Sequence, residues 1–379
     1  MIYKSLGGTE EKISALGLGT NGIGNRRNYN KLIVDTRIKI YKKAVDLGIN
    51  YFSTAELYGE GFADEILAKA IKNKRKEIII LSKFNPENAS SPKNSKRSLE
   101  GSLRRLQTDY IDIYQMHWPN ALVSMEVVVS TLEKFLKQGK IRYIGVSNFD
   151  LNLIKKFSNL LQGRSFVTVE NEYNILERSA EKGLLKYCEK NGQTLIAYSP
   201  LNHGRLSWNP IHLKILHYLS SKYGKKPMQI IISWLVSHNP VVSLVKTNNI
   251  KHLMENVDSL NLKLEREDIE LIDNTYLSKL KYVMTEQIFL RNTDYRNEVE
   301  ALENKLNLLP SPQVLAENIK AYNLFKPLRL VFKGKSSKHY YNLDDYDYMG
   351  ELKKYWAWRI AFGIHKPIPS YVTQINGFS

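Results

Sequence analysis

Residues 111–147 read IDIYQMHWPNALVSMEVVVSTLEKFLKQGKIRYIGVS. An apolar run, Ile111–Met116, leads into Val127–Lys137, where apolar residues recur at the helical period. Gly139 then stops the helix, and a second apolar run follows at Tyr143–Ser147. The runs are too short for helices and too continuously apolar for strands wet on one face. They read as parallel strands buried on both sides and joined by a covering helix. One such unit does not fix a fold, but its repetition does.

Working outward, similar runs lie at Leu16–Thr20, Ile49–Ser53, Ile78–Ser82, Val167–Asn171, Thr194–Tyr198 and Val242–Val245. Helical patterns separate them, among them Thr36–Leu47, Ser98–Leu106 and Ala180–Lys190, with Asp35 and Asp150 as expected N-caps and Gly48 as a stop. Eight strand–helix units between about Ala15 and Glu270 match the size and rhythm of an α/β fold of the closed (β/α)8 TIM-barrel type. An open doubly wound sheet would need a glycine-rich turn that opens a helix. The one candidate, Gly17 to Gly22, is followed by another loop. Tyr3 to Ile13, around Gly7 and Gly8, reads as a hairpin that plugs the barrel floor. After Ser278 the rhythm changes to a smaller α+β domain, which divides the chain into residues 1–277 and 278–379.

Composition excludes several classes of protein. Hydrophobic residues make up 43% of the chain, with 23 Tyr and 12 Phe, enough for a large core. The single cysteine, Cys188, rules out a disulfide framework or a cysteine metal cluster and fits a reducing, cytoplasmic setting. No apolar run is long enough to cross a bilayer, and the opening MIYKSLGGTEEKIS carries charges where a signal peptide needs an apolar core. The net charge of +17 is spread along the chain without a basic arm, so it reads as solvated surface rather than a nucleic-acid interface. A small molecule is the expected partner.

In a (β/α)8 barrel, polar groups at the carboxyl ends of the strands converge on one mouth. Those positions hold Ser53, Lys83, His117, Ser147 with Asn148, Glu170 with Asn171, Tyr198, and Lys246 with Thr247; Tyr58 follows strand two. Any one of them could be structural. A lysine, a histidine and a tyrosine at strand ends of one barrel point to a cluster that handles protons and charge.

These positions lie within or beside GINYFSTAELYG, IIILSKFN, SLRRLQTDYIDIYQMHWPN, GKIRYIGVSNF, VENEYNILER, IAYSPL and LVKTNNIKHLMENV. In order and spacing these stretches resemble the aldo-keto reductase family over about residues 1–276. The resemblance implies an NADPH-dependent oxidoreductase that reduces a carbonyl, an aldehyde or ketone, with sugar-derived compounds among the candidates. It implies Tyr58 as proton donor, Lys83 as the lysine that lowers its pKa and His117 as the residue orienting the carbonyl. Ser147, Asn148 and Glu170 would face the nicotinamide carboxamide, and Tyr198 would stack on the ring. Lys246, Thr247 and His252 would grip the 2′-phosphate of NADP(H). Gly19, Thr20, Asn21, Ser199, Leu201, Asn248, Glu255 and Asn256 complete the implied cofactor contacts.

Two positions depart from the family pattern. Its F-D-T-A aspartate, a fourth catalytic residue, is Ser53 here, within Phe52-Ser53-Thr54-Ala55. Serine keeps an acceptor but loses the charge. Lys83 then needs another carboxylate, for which Glu56 is the neighbour in sequence, and an aspartate returned at 53 is expected to strengthen catalysis. At 170 a glutamate replaces the usual glutamine, and its charge is expected to favour the oxidised nicotinamide. The contrasting reading is an impaired NADP(H)-binding sensor with an appended nucleotide-binding module. Beyond Ser278 the chain loosely resembles the ParB/sulfiredoxin-like fold, in which Gly350, Lys353 and Lys354 would bind a nucleotide or phosphate.

Overall fold

A computed structural model describes residues 1–274 apart from 25, 28, 162–165 and 203–209. The smaller domain expected at 278–379, with its phosphate site at Gly350, Lys353 and Lys354, lies outside the described residues.

An antiparallel hairpin, β1 (Tyr3–Ser5) and β2 (Lys12–Ser14), precedes eight parallel strands. These are β3 (Leu16–Gly19), β4 (Tyr51–Ser53), β5 (Ile79–Phe84), β6 (Ile111–Met116), β7 (Ile141–Ser147), β8 (Thr168–Glu172), β9 (Thr194–Tyr198) and β10 (Val241–Val245). They pair in sequence order, and β10 closes on β3, which makes a barrel. Its helices are α1 (Lys31–Asp46), α2 (Phe62–Ile71), α3 (Pro92–Leu106), α4 (Met125–Lys137), α5 (Leu151–Leu160), α6 (Leu184–Asn191), α7 (Pro210–Tyr223), α8 (Pro227–Ser237), α9 (Ile250–Asp258) and α10 (Arg266–Asn274). Among the described residues no helix is long and apolar enough to cross a membrane.

Two of the expected helix boundaries move. Asn30, not Asp35, caps α1, its side chain accepting from the N–H groups of Leu32 and Ile33, while Asp35 pairs with Lys31 at 2.7 Å. The stretch Ala180–Lys190 is not one helix. A 3-10 turn at Ser179–Glu181 is separated from α6 by Gly183, whose φ of +104° lies outside the helical region. Asp150 does cap α5, accepting from Leu153 N–H at 2.8 Å.

The core has two compartments. One fills the space between barrel and helices. The other lies inside the barrel, where Tyr51, Ile79, Leu81, Ile113, Val167, Ile196 and Val242 meet Leu6 and Ile13 of the hairpin. The hairpin is therefore the barrel's floor, as its position in the sequence predicts. Lys4 fastens it by donating to the carbonyls of Val236, His238 and Val241 at 2.7–2.9 Å.

Tyr51 fits inside because β3 offers no side chain opposite it. A Cβ at Gly17 would sit 1.9 Å from the Tyr51 ring. Gly17→Ala should therefore destabilise the fold by about 1–3 kcal/mol, the usual cost of overpacking. Urea unfolding checks this: the midpoint should fall with the slope unchanged.

Candidate active site

Along a strand, successive side chains alternate between the barrel interior and its exterior. Counting up from the apolar interior layer, the alternation carries Tyr51 to Ser53, Leu81 to Lys83, Ile113 to Gln115, Gly145 to Ser147, Thr168 to Glu170 and Ile196 to Tyr198. Six neighbouring strands thus end their inward faces on polar groups, directly above a floor of hydrocarbon.

Lys83 lies at the centre of this layer and is 1% exposed. Its Nζ donates to Ser53 Oγ at 2.6 Å and to the Thr54 carbonyl at 3.2 Å, and lies 3.0 Å from Glu170 Oε1. Burial works against the ammonium charge, but Glu170 and then Tyr58 hold its pKa above the ordinary lysine value. Glu170, itself 2% exposed, accepts at Oε2 from Gln115 Nε2 at 3.1 Å and receives the Ser53 hydroxyl at 3.3–3.4 Å. The partner of Lys83 is therefore Glu170 and not Glu56. The Glu56 carboxylate instead accepts from the Asn85 N–H, the Asn88 amide and the Ser98 hydroxyl.

Tyr58 rides on the loop after β4. Thr54, at the loop's start, donates to buried Asp64 at 2.7 Å, and Arg105 pairs with Asp64 at 3.0 Å, so the loop is tied to α2 and α3. The ring centre of Tyr58 is 5.5 Å from Lys83 Nζ, and its edge meets His117 at 5.5 Å between centroids. Burial raises the phenol's pKa; Lys83 opposes that rise, and Glu170 adds to it. Tyr58 consequently keeps its proton at neutral pH while a cation stands ready beside the phenolate it would become. His117 follows β6 and leaves Nδ1 without a hydrogen-bond partner. Burial first, and Lys83 second, keep its ring neutral well below the ordinary value of 6.5.

Beside this group, Asn148 adopts a left-handed backbone (φ +60°). Its amide donates to the His117 carbonyl at 2.9 Å and to Ser147 Oγ at 3.2 Å, and it accepts from the Tyr198 hydroxyl at 2.7 Å. Thr20 reaches the same rim through its N–H, which donates to the Ser53 carbonyl at 3.0 Å. Ser53, Tyr58, Lys83, His117, Ser147, Asn148, Glu170 and Tyr198 are thus brought together. The sequence reading missed Gln115, which the inward alternation from Ile113 would have revealed.

A second polar group forms where β3 and β10 end. Lys246 Nζ lies close to Gly22, and buried Arg37 donates to the carbonyls of Asn21 and Gly22 at 3.3 Å. Among the described residues neither cation has a carboxylate partner. Burial and then Arg37 lower the pKa of Lys246. Thr247 Oγ1 accepts from Asn249 N–H at 3.0 Å, and Asn249 caps α9, so a helix N-terminus opens on the same loop. Such a set of donors suits an anion. The other implied positions are more dispersed: Asn248 and His252 are exposed, Asn256 is buried, and Glu255 is drawn to Lys226 at 2.5 Å. Ser199 has a left-handed backbone, and Leu201 packs on the core. Gly19 ends β3 beside the Val245 carbonyl. Arg37 was not foreseen, because nothing in α1's sequence sets it apart from surface basic residues.

A model of the aldo/keto reductase family matches residues 15–276. The chain is 30% identical over 265 residues to the methylglyoxal reductase YeaE of Escherichia coli, an alignment covering 70% of this chain and 91% of that protein. Among solved structures it is similar to the thermostable aldo-keto reductase Tm1743 in complex with the inhibitor epalrestat. That likeness has 38% identity and a TM-score of 0.69, over 72% of this chain and 99% of the other. An aldo-keto reductase from Klebsiella pneumoniae in complex with NADPH shares 28% identity at a TM-score of 0.65, over 73% and 96%. The chain belongs to the aldo/keto reductase family.

The depressed pKa of His117 has a consequence for stability. The unfolded chain takes up a proton near the ordinary value, whereas the folded ring resists it. The contribution of the neutral ring is therefore whole above about pH 6.5 and drains away as pH falls toward the folded value. Between about pH 7 and pH 5, unfolding midpoints of the unaltered protein should fall more steeply than those of His117→Asn. Equal slopes would show that the folded ring protonates freely.

Proposed function

We propose that this member of the family is an NADPH-dependent carbonyl reductase with Tyr58 as its proton donor. The observation that carries the reading is the buried, charged Lys83 beside a protonated Tyr58 at the mouth of the barrel. When bound, the reduced nicotinamide supplies a hydride to the carbonyl carbon. The chain's own residues then deal with the charge that develops on oxygen. Tyr58 gives its proton to that oxygen, and Lys83 stabilises the phenolate left behind. Neutral His117 offers a hydrogen bond at the same oxygen rather than a competing positive charge. Asn148 and Ser147, tied to each other and to Tyr198, present fixed polar groups at the rim for a carboxamide.

Lys246 and Arg37, two cations without carboxylate partners among the described residues and beside a helix N-terminus, support a grip on the cofactor's phosphates and hence NADP(H) over NAD(H). The NADPH complex of the Klebsiella relative agrees with this choice. The charge pairing around Lys83 favours turnover over a sensor that binds without reacting. We read residues 278–379 as a separate accessory module, a division supported by the family match ending at residue 276.

Purified protein should oxidise NADPH in the presence of an aldehyde or ketone from a panel that begins with methylglyoxal, the substrate in the name of the E. coli relative. Tyr58→Phe should lower kcat by roughly 10²–10⁴-fold, the range for loss of a general acid. An unaltered protein that binds NADPH yet reduces nothing would overturn the reading.

The preference for NADPH over NADH, measured as the ratio of the two dissociation constants, should largely disappear in Lys246→Ala. Equal affinities in the unaltered protein would remove the phosphate site from the end of β10.

A further inference from the structure

We infer that Glu170 acts as the carboxylate of this active site from across the barrel, a positioning residue that keeps Lys83 charged and aimed at Tyr58. The inference rests on the reductase reading above and identifies how its proton-transfer group is held together.

A buried ammonium persists only beside an anion. Among the described residues, the other carboxylates on the neighbouring loop and helix are committed elsewhere. Glu56 is held by Asn85, Asn88 and Ser98, and Asp64 by Arg105 and Thr54. Glu170 Oε1, at 3.0 Å, remains. Its second oxygen is fixed by Gln115, and Ser53 bridges the pair, accepting from Lys83 at 2.6 Å while its hydroxyl points to the carboxylate.

The bridge explains why serine, and not aspartate, suits position 53. A carboxylate there would lie about where Ser53 Oγ now stands, 3.3–3.4 Å from both Glu170 oxygens. Two anions would then share one lysine, and like charges at that distance cannot both remain ionised. The two departures from the family pattern are therefore one change: the negative charge has moved from strand β4 to strand β8. The expectation that Ser53→Asp strengthens catalysis reverses while Glu170 is present. The pairing with Lys83 also offsets the charge that Glu170 would otherwise present to a nicotinamide.

The test is a charge swap read in four proteins: unaltered, Ser53→Asp, Glu170→Gln, and both together. Glu170→Gln should lower kcat about 10²-fold, the scale of a misplaced reacting group, with KM nearly unchanged. Removing an anion lowers the pKa of every neighbouring acid, so the alkaline limb of the pH profile should move to lower pH in Glu170→Gln. Ser53→Asp alone should also lose activity. The double variant should regain kcat to within several-fold and return the alkaline limb to its starting position. Losses that simply multiply in the double variant, or a Glu170→Gln protein with unchanged kcat and pH profile, would overturn the inference. If the unaltered protein reduces no carbonyl, the functional proposal fails by itself, and thermal unfolding still decides the pairing. Each single variant should then melt lower than the double, and additive losses refute the swap. Where Glu170→Gln alone fails to fold, the double variant decides: its folding supports the swap, and its failure to fold refutes it.

Discussion

A lysine ammonium sealed inside a hydrocarbon-floored barrel is the constraint around which this structure is arranged. Removing one partner from a buried ion pair typically costs about 3–5 kcal/mol, because the other charge is left without water or counter-ion. Lys83 is 1% exposed, and its surroundings answer that demand in detail. Glu170 supplies the charge, Ser53 and the Thr54 carbonyl take the remaining donors, and Gln115 fixes the carboxylate's far oxygen. These groups come from three strands and the loop that follows one of them. The barrel must close in register before they all meet, so the assembly of the site and the completion of the fold are one event.

Closure also explains why the polar groups of the candidate site gather at one mouth. Parallel strands point their carboxyl ends the same way, and the loops that leave them carry Tyr58, His117 and Asn148 to a common rim. Those loops are tied to the barrel by buried polar contacts. Asp64 secures the start of the Tyr58 loop through Thr54, and Asn148 spans from the His117 carbonyl to the Tyr198 hydroxyl. Such bonds hold these side chains close to one geometry before any ligand arrives, the preorganisation that the proposed electrostatic catalysis requires.

Much of this was readable in the sequence, for a physical reason. Strands buried on both faces must be apolar throughout, so Ile111–Met116 and Thr194–Tyr198 stand out with their ends correct. The start of α1 was hidden because Leu32 and Ile33 are exposed there, against the amphipathic pattern that marks a helix. The residues of the candidate site were legible as strand ends, but their pairing was not. Glu56 is the carboxylate nearest to Ser53 along the chain, whereas the partner that Lys83 uses depends on two strands facing each other across the barrel. Ser53 and Glu170 are 117 positions apart in sequence and adjacent in space. Distance along the chain carries no information about that adjacency. The inward alternation does, because it assigns Lys83, Gln115 and Glu170 to one layer.

The hairpin under the barrel bears on how the protein is made. Lys4 is anchored to the carbonyls of Val236, His238 and Val241, which a ribosome delivers more than 230 residues later. Leu6 and Ile13 emerge long before Val242 of β10, with which they share the barrel interior. Until β10 is translated they have no finished barrel to seal, so the newborn chain carries its cork ahead of its bottle. Long-range contacts of this kind slow folding, because the chain must be brought together over a great length before they can form.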